Sequence, residues 1–94
     1  MKVDAVEIYS DQTNMAVMRH PGRKFPGVLI QGDTLYSLCS SADSIYASAR
    51  SKLDKDDADE LNDLRNCLWK FLIHYKNVLT EHGIQMPFSE IDRT

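Results

Sequence analysis

Leu61-Asn62-Asp63-Leu64-Arg65-Asn66-Cys67-Leu68-Trp69-Lys70-Phe71-Leu72-Ile73-His74-Tyr75-Lys76-Asn77-Val78-Leu79 is the stretch on which the fold turns. Its apolar residues advance by three and four: Leu61, Leu64, Leu68, Phe71, Tyr75, Val78 and then His82, with Leu72 and Leu79 beside them. That spacing is the pattern of a helix packed along a seam. At 100° per residue these side chains and Cys67 span roughly 140°, with Trp69 and Ile73 outside the arc. Those two are expected either to pack on the C-terminal tail around Phe88 or to form an interface, for which Trp is a favoured anchor. Homodimerisation is the expected form of that interface.

Both ends of this helix are signposted. Asp54 is placed as the N-cap, with Asp57 three residues on in a capping-box-like position. Gly83 suits the left-handed residue after the helix, Ile84 the apolar contact that goes with it, and Pro87 lies beyond. Upstream, Leu35, Leu38, Ala42, Ile45 and Ala49, widened by Cys39, Tyr46 and Leu53, alternate by three and four through about five turns and predict a first helix after Gly32-Asp33-Thr34. Two helices joined by the short Ser51–Asp54 connection form an antiparallel hairpin over 34–83.

The first third of the chain reads differently. Val6 and Ile8, two apart among acids within 3–9, suit a short strand, and Met15–Arg19 a second. Ser10-Asp11-Gln12-Thr13-Asn14 between them is a cluster of turn formers. Val28–Gln31 gives a third strand, pairing within the chain or with another. The expected architecture is α+β: a small antiparallel three-stranded sheet over 3–31 packed on a two-helix antiparallel hairpin (βββαα), in one domain of 1–94 with an irregular tail at 85–94. A helix of about 27 residues is about 40 Å long, while five-residue strands reach about 17 Å, so the sheet is not expected to cover the whole helix.

Composition narrows function mainly by exclusion. The 94 residues are 43% hydrophobic and 27% charged, ordinary for a globular chain. A formal charge of −3 disfavours nucleic-acid binding. No apolar run approaches the roughly 20 residues that span a bilayer. Acids break the N-terminal run before a signal-peptide core could form, which predicts a cytoplasmic protein. Cys39 and Cys67 lack paired spacing and are read as reduced thiols rather than a disulfide. His74 and His82 lie eight apart, not the three or four that puts two metal ligands on one helix face, so no metal site is expected. No nucleophile motif or phosphate-binding loop occurs, and the chain is read as a non-enzyme without a cofactor. Were there chemistry, His20 and Asp33 would be the place to look.

Two segments are candidate binding surfaces. The loop Arg19-His20-Pro21-Gly22-Arg23-Lys24-Phe25-Pro26-Gly27 sets four basic side chains among two Pro-Gly turns, with no acid. Such turns give a defined shape on which Arg19, His20, Arg23, Lys24 and Phe25, with Gln31 and Asp33 nearby in sequence, could hold an anionic group. The alternative is a solvated turn. The run Asp56, Asp57, Asp59, Glu60 and Asp63 after Asp54 could meet a basic partner, together with Trp69 and Ile73. Its simpler role is to oppose the positive end of the helix macrodipole.

The pattern Arg19-x-Pro21-Gly22-Arg23-x-Phe25-Pro26-Gly27-x-x-x-Gln31-Gly32-Asp33-x-Leu35, followed by Glu81-His82-Gly83-Ile84 and a proline, resembles a small uncharacterised bacterial domain family over most of the chain. The resemblance implies a bacterial origin and brings no activity with it. By analogy, small acidic proteins of this kind are similar to immunity proteins that neutralise a toxin. The expected function is therefore protein binding of an immunity or antitoxin-like kind. Small-anion binding by the Arg19–Gly27 loop is the alternative.

Overall fold

The computed structural model describes residues 1–89, in the order β1 (Glu7–Ser10), β2 (Ala16–Arg19), β3 (Gly27–Leu29), α1 (Gly32–Ala49) and α2 (Lys55–Glu81). The βββαα order is as the sequence predicts. The chain divides into two compact units, residues 1–31 and residues from Gly32 onward.

In the first unit the three strands form one antiparallel sheet in the order β1-β2-β3. Asn14 takes the left-handed conformation (φ 65°), which Asn tolerates better than most residues, and Met15 N–H donates to the Gln12 carbonyl at 3.0 Å to close the first hairpin. Glu7 faces Arg19 and Ile8 faces Met18, after which the register shifts so that Ser10 meets Val17. This bulge lets one strand bend away without losing its pairing. Ala16, Val17 and Met18 pair with Leu29, Val28 and Gly27, so β3 finds its partner within the chain. Pro26 stands just before β3 and so subtracts no donor from the ladder.

In the second unit α1 and α2 pack antiparallel: Gly32 at the start of α1 meets Tyr75 late in α2, while Asp43 meets Arg65 and Trp69 earlier in it. The caps of α2 form as the sequence indicates, whereas α1 begins at Gly32 and takes in the Asp33 and Thr34 expected ahead of it. Asp54 accepts the Asp57 N–H at 2.8 Å. At the other end Gly83 has φ 65°, with Gly83 N–H donating to Thr80 O at 3.2 Å and Ile84 N–H to Leu79 O at 2.9 Å. That pair of bonds is a Schellman closure. Of the tail expected at 85–94, residues 85–89 are irregular, and 90–94 lie outside the described residues.

The core corrects the expected seam. Its buried apolar residues are Leu35 and Cys39 from α1 and Trp69 and Leu72 from α2, with Tyr36, Leu68, Tyr75 and Phe88 packed against them. Trp69 is 5% exposed and Leu72 fully buried, whereas Leu64 and Phe71, placed on the seam by their spacing, are 58 and 59% exposed. The helix is rotated so that Leu61, Arg65, Leu68, Leu72, Tyr75 and Leu79 face α1, all of them at least half-buried. Trp69 as an interface anchor is likewise corrected: it packs inward, near Phe88, which itself stacks on Tyr36 at 4.5 Å. Ile73 stays exposed.

The physical reason is a polar lock that an apolar count does not register. Asp43 Oδ1 accepts from Arg65 Nη1 at 3.1 Å and from Trp69 Nε1 at 3.0 Å. The Arg65 guanidinium also donates to Asn62 Oδ1 at 2.7 Å and lies 4.4 Å from the centre of the Tyr46 ring. A half-buried arginine is thus bonded, stacked and charge-paired, which offsets its desolvation and lets it hold a position an aliphatic residue would otherwise claim. Gly32 is buried, and a Cβ there would come within 2.3 Å of the Tyr75 ring tip, so Tyr75 closes over bare backbone where α1 begins. Cys39 is buried, Cys67 is exposed, and no disulfide joins them.

The lock predicts a stability ordering. Asp43→Ala removes the acceptor that the Trp69 indole and the Arg65 guanidinium share and should destabilise by about 2 kcal/mol in urea denaturation, with Asp43→Asn losing less. Equal stability of Asp43→Ala and the parent protein would contradict this packing.

Candidate functional site

The first unit holds a groove of about 590 Å³ where the basic loop meets the sheet. Its construction follows from the strand pairing. Met18 and Gly27 face each other across β2 and β3, and the missing side chain at Gly27 leaves the floor open beside Met18. Val6, Val28 and Leu29 extend the apolar surface, and His20, Arg23, Lys24 and Phe25 stand along the rim.

The loop is shaped by its own short bonds. Arg23 N–H donates to the His20 carbonyl at 2.9 Å, and Gly22 N–H donates to His20 Nδ1 at 3.1 Å. His20 Nδ1 is therefore an acceptor, which leaves Nε2 to carry the ring's proton. Lys24 Nζ lies 5.4 Å from the Phe25 ring centre, close enough for cation–π attraction. Among the described residues neither Arg23 nor Lys24 has an ion-pair partner, so both charges are available to a ligand.

Of the residues singled out in the sequence, His20, Arg23, Lys24 and Phe25 come together here. Arg19 does not join them. Its guanidinium pairs with Glu7 on the adjoining strand, and hydrogen bonding and charge attraction from that carboxylate raise its pKa above the ordinary value. Arg19 therefore serves the β1–β2 pairing. Gln31 is exposed beyond the end of β3, and Asp33 sits in the first turn of α1, where its carboxylate accepts the Thr34 N–H at 2.9 Å.

The apolar members Val6, Met18, Gly27, Val28 and Leu29 escaped sequence reasoning as site residues, because they belong to three segments that only the sheet register brings together. No pattern in the sequence marks them, since the third strand is expected at Val28–Gln31 and Gly27 opens β3 only in the structure. The groove-lining residues include no carboxylate, hydroxyl or thiol. All but Met18 are exposed, so the walls are low.

The acidic run begins with Asp54 as the cap, and Lys55 reaches Asp59 at 2.7 Å, which raises the Lys55 pKa chiefly through that hydrogen bond. Asp56, Asp57, Glu60 and Asp63 project into solvent. His82 ends α2 with Nδ1 2.9 Å from the Val78 carbonyl, and His74 is exposed. No group of three or more metal-binding side chains gathers among the described residues, and no helix there is long and apolar enough to cross a membrane.

A sequence profile of a family of unknown function (DUF6959) matches residues 1–88. No curated protein and no solved structure matches the chain.

A groove with an apolar floor and cationic rim should take an amphipathic organic anion. Titration with 8-anilinonaphthalene-1-sulfonate is expected to shift backbone amide resonances within residues 18–29. Arg23→Glu with Lys24→Glu should weaken that binding roughly tenfold or more, about 1.4 kcal/mol. Shifts confined to the two helices would show that the groove is not a binding surface.

Proposed function

We propose, for a chain that belongs to this family of unknown function, a non-enzymatic role in which the loop groove docks an acidic, apolar-anchored segment of a partner protein. The observation that carries this reading is the composition of the groove: Arg23 and Lys24, without ion-pair partners among the described residues, with His20 on the rim, Met18 and Leu29 beneath, and no proton-transfer or nucleophilic pair among the lining residues. The volume falls within the roughly 300 to 1,000 Å³ of small-molecule sites, but such sites enclose most of their ligand. Here Phe25 is 72% exposed, and low walls suit an extended peptide that covers the groove while keeping one side in solvent. Free anions are the second reading, since guanidinium and ammonium groups hold carboxylate and phosphate alike.

Within this class we favour a bacterial immunity or antitoxin-like protein, cytoplasmic and acting on a toxin partner. What supports it is the combination of small size, net negative charge and two exposed charged surfaces of opposite sign, the loop and the start of α2. Acids in that first turn already oppose the helix dipole, but Glu60 and Asp63 lie beyond the reach of the cap and remain available to a basic partner.

Selection from a displayed peptide library should enrich sequences with two or more acids beside an aromatic or aliphatic residue, and Arg23→Glu with Lys24→Glu should abolish the enrichment. Enrichment of basic peptides, or none, would contradict the docking role. The immunity reading predicts a stable complex on co-expression with the product of an adjacent gene, and failure with every neighbour would contradict it.

A further inference from the structure

We propose that the uncovered apolar face of the helical hairpin is closed by a second copy of this chain, with the two α2 helices antiparallel across a two-fold axis at Phe71. Because Trp69 and Leu72 are turned toward α1, a row one step round the helix is left outside. Leu64, Phe71 and Val78 recur every seven residues on α2, and Leu38 and Ile45 repeat that spacing on α1; all five are exposed, Ile45 to 55%.

Both rows lie on one side of the hairpin. In two antiparallel helices that face each other, equal rotations from the contact line point the same way. At 100° per residue Leu38 and Ile45 are rotated in one sense from Cys39, as Leu64, Phe71 and Val78 are from Leu72. Asp43 and Trp69 are rotated in the opposite sense, toward the side where they meet. The five exposed side chains leave on the order of 500 Å² of apolar surface, more than half of the roughly 800 Å² that each partner contributes to a standard interface.

The occupant is specified by symmetry and charge. The α2 row is evenly spaced about Phe71, so a two-fold axis there sets Leu64 against the partner's Val78 and Phe71 against the partner's Phe71. The same operation sets Glu60, one turn before Leu64, against the partner's His82, one turn beyond Val78. Asp56, Asp57, Asp59, Glu60 and Asp63 crowd the first part of α2, where Arg65 is occupied by Asp43 and Lys55 by Asp59. In the later part Lys70 stands against one acid, Glu81, and His82 lies on the row itself. Antiparallel association sets Glu60 against the partner's His82, whereas parallel association would set Glu60 on Glu60, so repulsion between acids favours the antiparallel direction. A copy of the same surface is therefore complementary in shape, period and sign. The groove of the first unit takes no part.

Sedimentation velocity at micromolar concentration should give twice the 10.7 kDa of the chain. Phe71→Glu, checked for retained helical circular dichroism, should return the single-chain mass, and Leu64→Lys serves the same purpose if that variant fails to fold. In a Cys67→Ser background, Leu64→Cys and Val78→Cys proteins should form disulfide-linked pairs when mixed and oxidised, but not alone. A single-chain mass for the unaltered protein, as when this chain's own strands or nothing cover the face, would overturn the proposal. So would a Phe71→Glu protein that stays dimeric, or linkage of Leu64→Cys to itself.

Discussion

The bond that the rest of the helical unit depends on is the one Asp43 makes to two residues of α2 at once. Arg65 and Trp69 are four apart, hence successive on one face, and a single carboxylate oxygen that accepts from both fixes the helix in rotation as well as in distance. With that rotation set, Leu72 falls onto Cys39 and Leu35, and Tyr75 onto Gly32. Leu64, Phe71 and Val78 are turned out as a consequence. Removing a buried leucine such as Leu72 would cost about 2 to 5 kcal/mol in lost packing. The lock contributes less energy than that core, but it decides which leucines the core contains.

Much of this was legible in the chain, and what was not has a definite cause. The caps at Asp54 and Gly83 rest on local chemistry, a side-chain acceptor and a left-handed residue, and appear where the sequence places them. The strands are likewise local, although β1 runs on to Ser10, read as a turn former, and β3 spans Gly27–Leu29 rather than Val28–Gln31. The face of α2 is not local. Two heptad frames run through it, sharing Leu61, Leu68 and Tyr75, and they differ in whether Leu64, Phe71 and Val78 or Arg65, Leu72 and Leu79 complete the seam. Hydrophobicity alone prefers the first, because Arg65 is charged. The second wins because Asp43, twenty-two residues away, compensates that charge. No pattern within one helix contains the information.

The groove in the sheet unit divides in the same way. Its cations sit in one contiguous loop, where their density and the Pro-Gly turns mark them. Its floor comes from Val6, Met18 and Leu29, joined by strand register. Arg19 shows the limit of reading a basic cluster as a unit: Glu7, twelve residues earlier, takes it out of the groove and into the sheet. Pairing across strands, like pairing across helices, redistributes charges that look equivalent in sequence.

Two surfaces of different character result, a cationic groove on the strands and an apolar face on the helices, the second existing only because Trp69 points inward. Trp69 is the chain's one tryptophan, so its fluorescence reports that orientation without interference. A buried Trp69 should give blue-shifted emission and weak acrylamide quenching in the native protein, both lost on unfolding in urea. Native emission and quenching equal to those of the unfolded chain would place Trp69 in solvent, restore Leu64 and Phe71 to the seam, and contradict the account at its centre.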